Sequence, residues 1–124
     1  MARITGLGGF FFKSRDAAAL SAWYRDILGL EVQSWGGAQL EPSESSGPPH
    51  AVWSPFAADT TYFEPGTSPY MVNFAVDDLD AFVTQLVAKG VAIIGRDENE
   101  QTGRFAWLLD PEGTKLELWQ PPAR

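Results

Sequence analysis

The chain has 124 residues, 44% of them hydrophobic, with sixteen acids against nine Lys and Arg, for a net charge of −7. This size fits a single domain with a sizeable core, or two small halves that share one. An acidic balance disfavours nucleic acid and anionic membrane surfaces, which reward clustered Lys and Arg, and it leaves a neutral or cationic small molecule as the easier partner. With no cysteine in the sequence, disulfide, thiolate-nucleophile and zinc-thiolate chemistry are excluded. No apolar run approaches the roughly 20 residues that span a bilayer, and Met1-Ala-Arg-Ile4 lacks the layout of a secretion signal, so a cytoplasmic location is expected.

Taken in order, Gly6 to Lys13 reads as a short aromatic strand. Ser14 or Asp16 can cap the helix that follows, because a short polar side chain accepts bonds from the helix's free N–H groups. Leu20, Trp23, Tyr24, Ile27 and Leu28 form one amphipathic face, which Gly29 ends. Leu30 to Leu40 contains strand-like pieces broken by Gly36 and Gly37, and residues 41–49 form a polar Pro/Gly-rich loop. His50 to Phe56 is strand-like, and Ala57 to Pro69 reads as a connector with a turn at Glu64-Pro65-Gly66.

Tyr70 to Val76 is again a strand, and Asp77-Asp78 caps a second helix with Leu79, Phe82, Val83, Leu86 and Val87 on one face and Gly90 at its close. Val91 to Ile94 is expected as a strand and Gly95 to Gly103 as a charged loop. Phe105 to Leu109 and Leu116 to Trp119 form a hairpin around Asp110-Pro111-Glu112-Gly113, where Pro presets one turn position and Gly tolerates the left-handed one. Strand alternation puts Glu117 on the face opposite Leu116 and Leu118. The function of the chain turns on whether that face meets solvent or a cavity.

The order strand, helix, strand, loop and paired strands occurs twice, which predicts an α+β fold of two tandem βαβββ modules, residues 1–60 and 68–121 approximately, within one domain over residues 1–124. These elements, with Ala22-Trp-Tyr-Arg-Asp-Ile-Leu-Gly-Leu30, Val76-Asp-Asp-Leu-Asp80 and Asp110-Pro-Glu-Gly-Thr-Lys-Leu-Glu-Leu-Trp119, resemble the vicinal oxygen chelate superfamily, which holds glyoxalase I, bleomycin-resistance proteins and extradiol dioxygenases. The resemblance covers nearly the whole chain. It implies a curved mixed sheet forming a cup, and a homodimer.

In metal-using members of that group, four ligands drawn from His, Glu and Gln line the cup. The matching positions here are Gly9, one of Val52 to Ser54, Met71 and Glu117, of which only Glu117 is a ligand of that kind. No bound metal or other cofactor is therefore expected. His50, the only histidine, follows Gly47-Pro48-Pro49 and reads as a loop-end imidazole, with a catalytic role or a weak metal site shared with Glu117 as its alternatives. Glu117 has a bland alternative too, an acid on the solvent face of a strand beside Lys115.

Strand parity and the aromatic content place Phe11, Trp53, Met71, Asn73, Phe105, Trp107 and Glu117 around the cup, an apolar pocket with few polar fixtures. Arg104 and the loop from Glu98 to Gly103 read as solvated rim charges. The function expected is binding of an aromatic or apolar small molecule, neutral or cationic, without a metal, as in antibiotic sequestration. The alternative is a glyoxalase-type lyase, isomerase or dioxygenase, either metal-dependent with rearranged ligands or metal-free with Glu117 as base.

Overall fold

The structure, a computed structural model, describes residues 2–40 and 51–123. Among the described residues, seven strands form one mixed sheet and two helices cover one of its faces. The elements are β1 (Ile4–Ser14), α1 (Ala17–Leu28), β2 (Ala38–Leu40), β3 (Ala51–Ala57), β4 (Tyr70–Val76), α2 (Leu79–Ala88), β5 (Gly95–Asn99), β6 (Gly103–Leu109) and β7 (Lys115–Gln120). Their order across the sheet is β2-β3-β1-β4-β7-β6-β5. The pairing β1–β4 is antiparallel and joins the two halves, while β1–β3 and β4–β7 are parallel and repeat the same relation on either side.

The helix ends follow local chemistry. Asp16 caps α1 by accepting from the Ala19 N–H, and Gly29 takes the left-handed conformation that turns the chain away. Asp78 caps α2 through the Ala81 N–H. The second helix buries Leu79 and packs Phe82, Val83 and Leu86 on Ala106, Leu108, Leu116 and Leu118. No described helix is long and apolar enough to cross a membrane.

Three expectations need correction. Residues 91–94 are not a strand: Val91 and Ile93 pack under the helix, and the strand begins at Gly95 and runs through the charged residues to Asn99. An edge strand tolerates this, because one flank and much of its surface face water. Of the strand-like pieces between Leu30 and Leu40, only Ala38–Leu40 joins the sheet, so the first half shows three strands and no described counterpart of β5. The apolar face of α1 is also not fully packed, since Trp23 and Ile27 are 50% and 64% exposed.

The β6–β7 turn closes as its residues dictate. The Gly113 N–H donates to the Asp110 carbonyl, and the Asp110 carboxylate accepts from the N–H groups of Glu112 and Thr114 at 2.8 and 3.0 Å. Asp110→Ala removes both side-chain bonds, and a loss of about 1 kcal/mol is expected from urea unfolding midpoints, by analogy with a lost cap.

Candidate functional site

Cross-strand register sorts the side chains into two faces. Trp53, Phe10, Val72, Leu116 and Leu108 stand in one row on the helix side. The neighbouring row, Val52, Gly9, Asn73, Glu117, Trp107 and Gly95, points to the helix-free side, the inside of the cup. There a cavity of about 300 Å³ is walled by Phe11, Val52, Phe56, Phe105 and Trp119, with Asn73 and Glu117 also in its lining. The connector after β3 supplies Tyr62 from one side, and Gln101, Thr102 and Pro122 close the other.

Glu117 is 2% exposed and its carboxylate accepts three hydrogen bonds from three separate elements. The Tyr62 hydroxyl donates to Oε2 at 2.5 Å, the Trp107 indole Nε1 to Oε2 at 2.8 Å, and the Asn73 amide Nδ2 to Oε1 at 2.6 Å. A carboxylate removed from water needs such donors, since the cost of burying an unpaired charge exceeds the stability of most domains. The Tyr62 hydroxyl is pushed well above its ordinary value, first by burial and then by the adjacent Glu117 charge, so it remains a donor.

Lys115 holds Tyr62 in place. Its ammonium donates to the Tyr62 carbonyl at 2.6 Å and lies 5.0 Å from the Tyr62 ring centre and 5.4 Å from that of Trp107. Burial lowers the Lys115 pKa, against a smaller opposing pull from Glu117. Beneath the cup, Phe63 and Met71 are buried against Phe11, with Val52, Phe56 and Trp107 packed on them. On the opposite wall Gly8 approaches Asn73 so closely that a Cβ there would sit 1.9 Å from Asn73 Oδ1.

Of the residues expected around the cup, Phe11, Asn73, Phe105 and Glu117 line the cavity. Trp107 stands beside it, stacked on Phe105 and bonded to Glu117. Met71 is buried below the cavity and absent from its lining. Trp53 is misplaced by the sequence reading. Its ring packs at a tilt on Tyr24 of α1 and on Phe12 on the helix face, because the β1–β3 register sets Val52, not Trp53, in the Glu117 row. Arg104 likewise points to the helix side and pairs with Asp80 and Glu98. His50, expected as a loop-end imidazole with catalytic or metal-binding alternatives, lies outside the described residues.

Sequence reasoning did not place Tyr62 or Phe56 in the cup lining, and it held Val52 only as one of the candidates, Val52 to Ser54, for a cup position. The one signal for Tyr62 was an aromatic pair, Tyr62-Phe63, in an otherwise polar connector. Metal ligation does not fit this site. Gly9 and Val52 offer no side-chain ligand, the Met71 thioether is a poor ligand for hard or borderline divalent metals, the lone pairs of Glu117 are largely engaged, and the described residues contain no group of three His, Cys, Asp or Glu that could hold an ion.

The model of the glyoxalase-like domain matches residues 9–119. This chain belongs to the glyoxalase-like family. Its solved structural neighbours share the fold of the glyoxalase/bleomycin resistance/dioxygenase superfamily. A Streptomyces coelicolor methylmalonyl-CoA epimerase variant in complex with 2-nitronate-propionyl-CoA matches with TM-score 0.72 at 16% identity, covering 98% of this chain and 100% of that one. The Mycobacterium tuberculosis methylmalonyl-CoA epimerase matches at 0.65 and 19% identity, over 97% and 90% of the two chains. A Vibrio splendidus 12B01 glyoxalase/bleomycin resistance protein/dioxygenase superfamily member matches at 0.55 and 14%, over 97% and 99%. No curated protein matches the sequence.

The Tyr62–Glu117 bond in this glyoxalase-like domain has an alkaline signature. Tyr62→Phe is expected to cost about 1.5 kcal/mol at neutral pH, the low end for a bond to a charged group because Tyr62 is 39% exposed. The folded protein keeps the phenol protonated, whereas an unfolded tyrosine releases its proton near pH 10. The contribution is therefore complete below about pH 10 and declines as pH rises through and beyond it. Urea midpoints of the two proteins, compared from about pH 8 to 11, are expected to converge as the wild type loses this advantage.

Proposed function

We propose that this glyoxalase-like domain binds an apolar or aromatic small molecule in its cup, without a metal, and holds it without converting it. Sequestration of a harmful compound is the physiological form of that activity. The observation that carries the reading is an aromatic cavity whose one acidic residue, Glu117, is already held by the protein's own donors. A carboxylate so engaged has three of its four lone-pair positions committed to the protein's own donors. It is thereby suited to fixing the shape of a pocket.

Titration of indole fluorescence with a panel of neutral and cationic aromatics tests this. Phe105→Ala removes contact area from the cavity wall and is expected to weaken binding about tenfold, while Trp53→Phe, on the helix face, is expected to leave it unchanged. Binding that ignores Phe105→Ala would place the ligand elsewhere.

A second reading, an isomerase, draws support from the likeness to methylmalonyl-CoA epimerases, which favours it more directly than any comparison favours sequestration. In that reaction Glu117 takes a proton from the carbon beside a carbonyl, and a proton is returned to the opposite face of the same carbon. The two readings separate in deuterium oxide. Loss of an acyl thioester's α-proton signal in NMR, catalysed by the wild type and abolished by Glu117→Gln, establishes the isomerase. Ligand binding with no exchange leaves the holding function.

The proposal extends to assembly as a homodimer through the helix face. Rings there form a continuous chain, Trp23–Tyr24–Trp53–Phe12–Phe10–Tyr70, with neighbouring centroids 4.5 to 6.2 Å apart. Phe10, Trp23 and Tyr70 in it are substantially exposed, an arrangement that favours burial against a second copy. Sedimentation at micromolar concentration is expected to show a dimer that Trp23→Glu converts to monomer. A monomeric wild type overturns the assembly.

A further inference from the structure

We propose that the cup takes an organic cation, an ammonium group fully substituted with carbon and carried on a small aromatic or apolar body. The inference rests on the binding reading above and narrows it to a ligand class.

Five rings line the cavity, those of Phe11, Phe56, Tyr62, Phe105 and Trp119. Phe11, Phe56 and Tyr62 form a continuous run, with neighbouring centroids 5.5 and 5.6 Å apart. Phe105 and Trp119 stand directly opposite each other on β6 and β7. Tyr62 is 39% exposed, and Phe56 and Phe105 are only half-buried, so a ligand in the cup reaches ring surface. The face of an aromatic ring carries partial negative charge and attracts a cation held within about 6 Å of its centre. Aliphatic walls would offer no such attraction.

The charge around the cavity has the same sign. Glu117 is the one charged side chain in the lining, and no Lys, Arg or His stands among the described lining residues. Its three donors are neutral groups, which satisfy the carboxylate's hydrogen bonding and leave its net charge in place. That charge acts on a cation without contact, because Coulomb attraction falls only with the inverse of distance and burial limits screening. Lys115 offsets part of it, but the Lys115 ammonium is given to the Tyr62 carbonyl and lies outside the lining. Arg25, Arg96 and Arg104 are committed elsewhere, to Asp26, to Asp80, and to Asp80 with Glu98.

Full substitution of the nitrogen follows from the polar inventory. A primary ammonium entering the cup loses the water on its three N–H donors and needs acceptors in exchange. Asn73 and Glu117 are 3% and 2% exposed, and Gln39, Gln101 and Thr102 lie at the exposed rim. An ammonium bearing four carbons has no N–H to satisfy and is held by ring faces alone. An anionic ligand, by contrast, meets the Glu117 charge with no basic side chain in the lining to offset it.

Three probes of matched shape test the inference: (4-hydroxyphenyl)trimethylammonium, its neutral carbon isostere 4-tert-butylphenol, and the anion 4-hydroxybenzenesulfonate. Calorimetric titration of the purified full chain at about pH 6.5 is expected to show the cation binding about tenfold or more tighter than 4-tert-butylphenol, with the sulfonate weakest. Glu117→Gln keeps the side chain's shape and removes its charge, and it is expected to cut the cation's advantage to about threefold or less. Should that variant fail to fold, Phe56→Leu takes its place. It keeps an apolar side chain without the ring and is expected to reduce the same advantage about threefold. If 4-tert-butylphenol binds as tightly as the cation, or if the full advantage survives in the variant measured, cation selection by the cup is overturned and the binding reading stands. Absence of binding by all three probes overturns the binding reading and this inference with it.

Discussion

The buried carboxylate of Glu117 is the constraint on which the inner face depends. Its donors come from the connector after β3, from β4 and from β6, elements far apart in the chain. A charge so enclosed requires all of them in place together, and the loss of any one leaves the rest facing an underpaired anion. The network thereby fixes the position of Tyr62, and with it the path of the connector that covers the cup. Lys115 and the buried Phe63 secure the same connector from either side.

This arrangement also bears on chemistry. The cup-facing positions at which the resemblance would place metal ligands carry a glycine, a valine or serine, and a methionine. The remaining acid is held by an indole, a phenol and an amide, which together do for its charge what a cation would do elsewhere. The substitution is internally consistent. Aromatic residues that supply the donors also supply apolar walls, and Gly8 gives Asn73 the room to turn its carbonyl from the carboxylate. A pocket results whose walls are largely aromatic rings.

The two halves of the sheet are built alike and finished differently. The α2 half carries a closed apolar layer, with Leu79, Leu118 and Ala106 at its centre. The α1 half leaves Trp23 and Ile27 in contact with solvent and places Trp53 beneath Tyr24. At the far edge, β5 carries three charged residues out of five, and Arg96 and Arg104 tie it and β6 to Asp80 on α2, drawing that carboxyl below the usual range through the Arg96 bond first. The charged edge discourages sheet-to-sheet association, whereas the half-covered helix face does not.

The elements with strong local signals were legible in the sequence. The helix from Asp16 to Gly29, the second from Asp78, strand Tyr70 to Val76 and the hairpin around Asp110 to Gly113 follow from periodicity, caps and turn chemistry, all set by neighbours within a few residues. Periodicity also put Glu117, Asn73 and Phe11 on one face, because alternation needs no partner strand to define it. What it cannot define is which alternating set of a second strand joins that face. Trp53 and Val52 differ by one position, and only the β1–β3 register decides between them. Strand edges were likewise settled by tertiary pairing, which drew Gly95 to Asn99 into the sheet despite their charge and left Val91 to Ile94 out of it. Tyr62 lay beyond sequence reasoning for the same physical cause. Its role comes from a contact between residues 55 positions apart, and no local preference encodes where an irregular connector will set its side chain down.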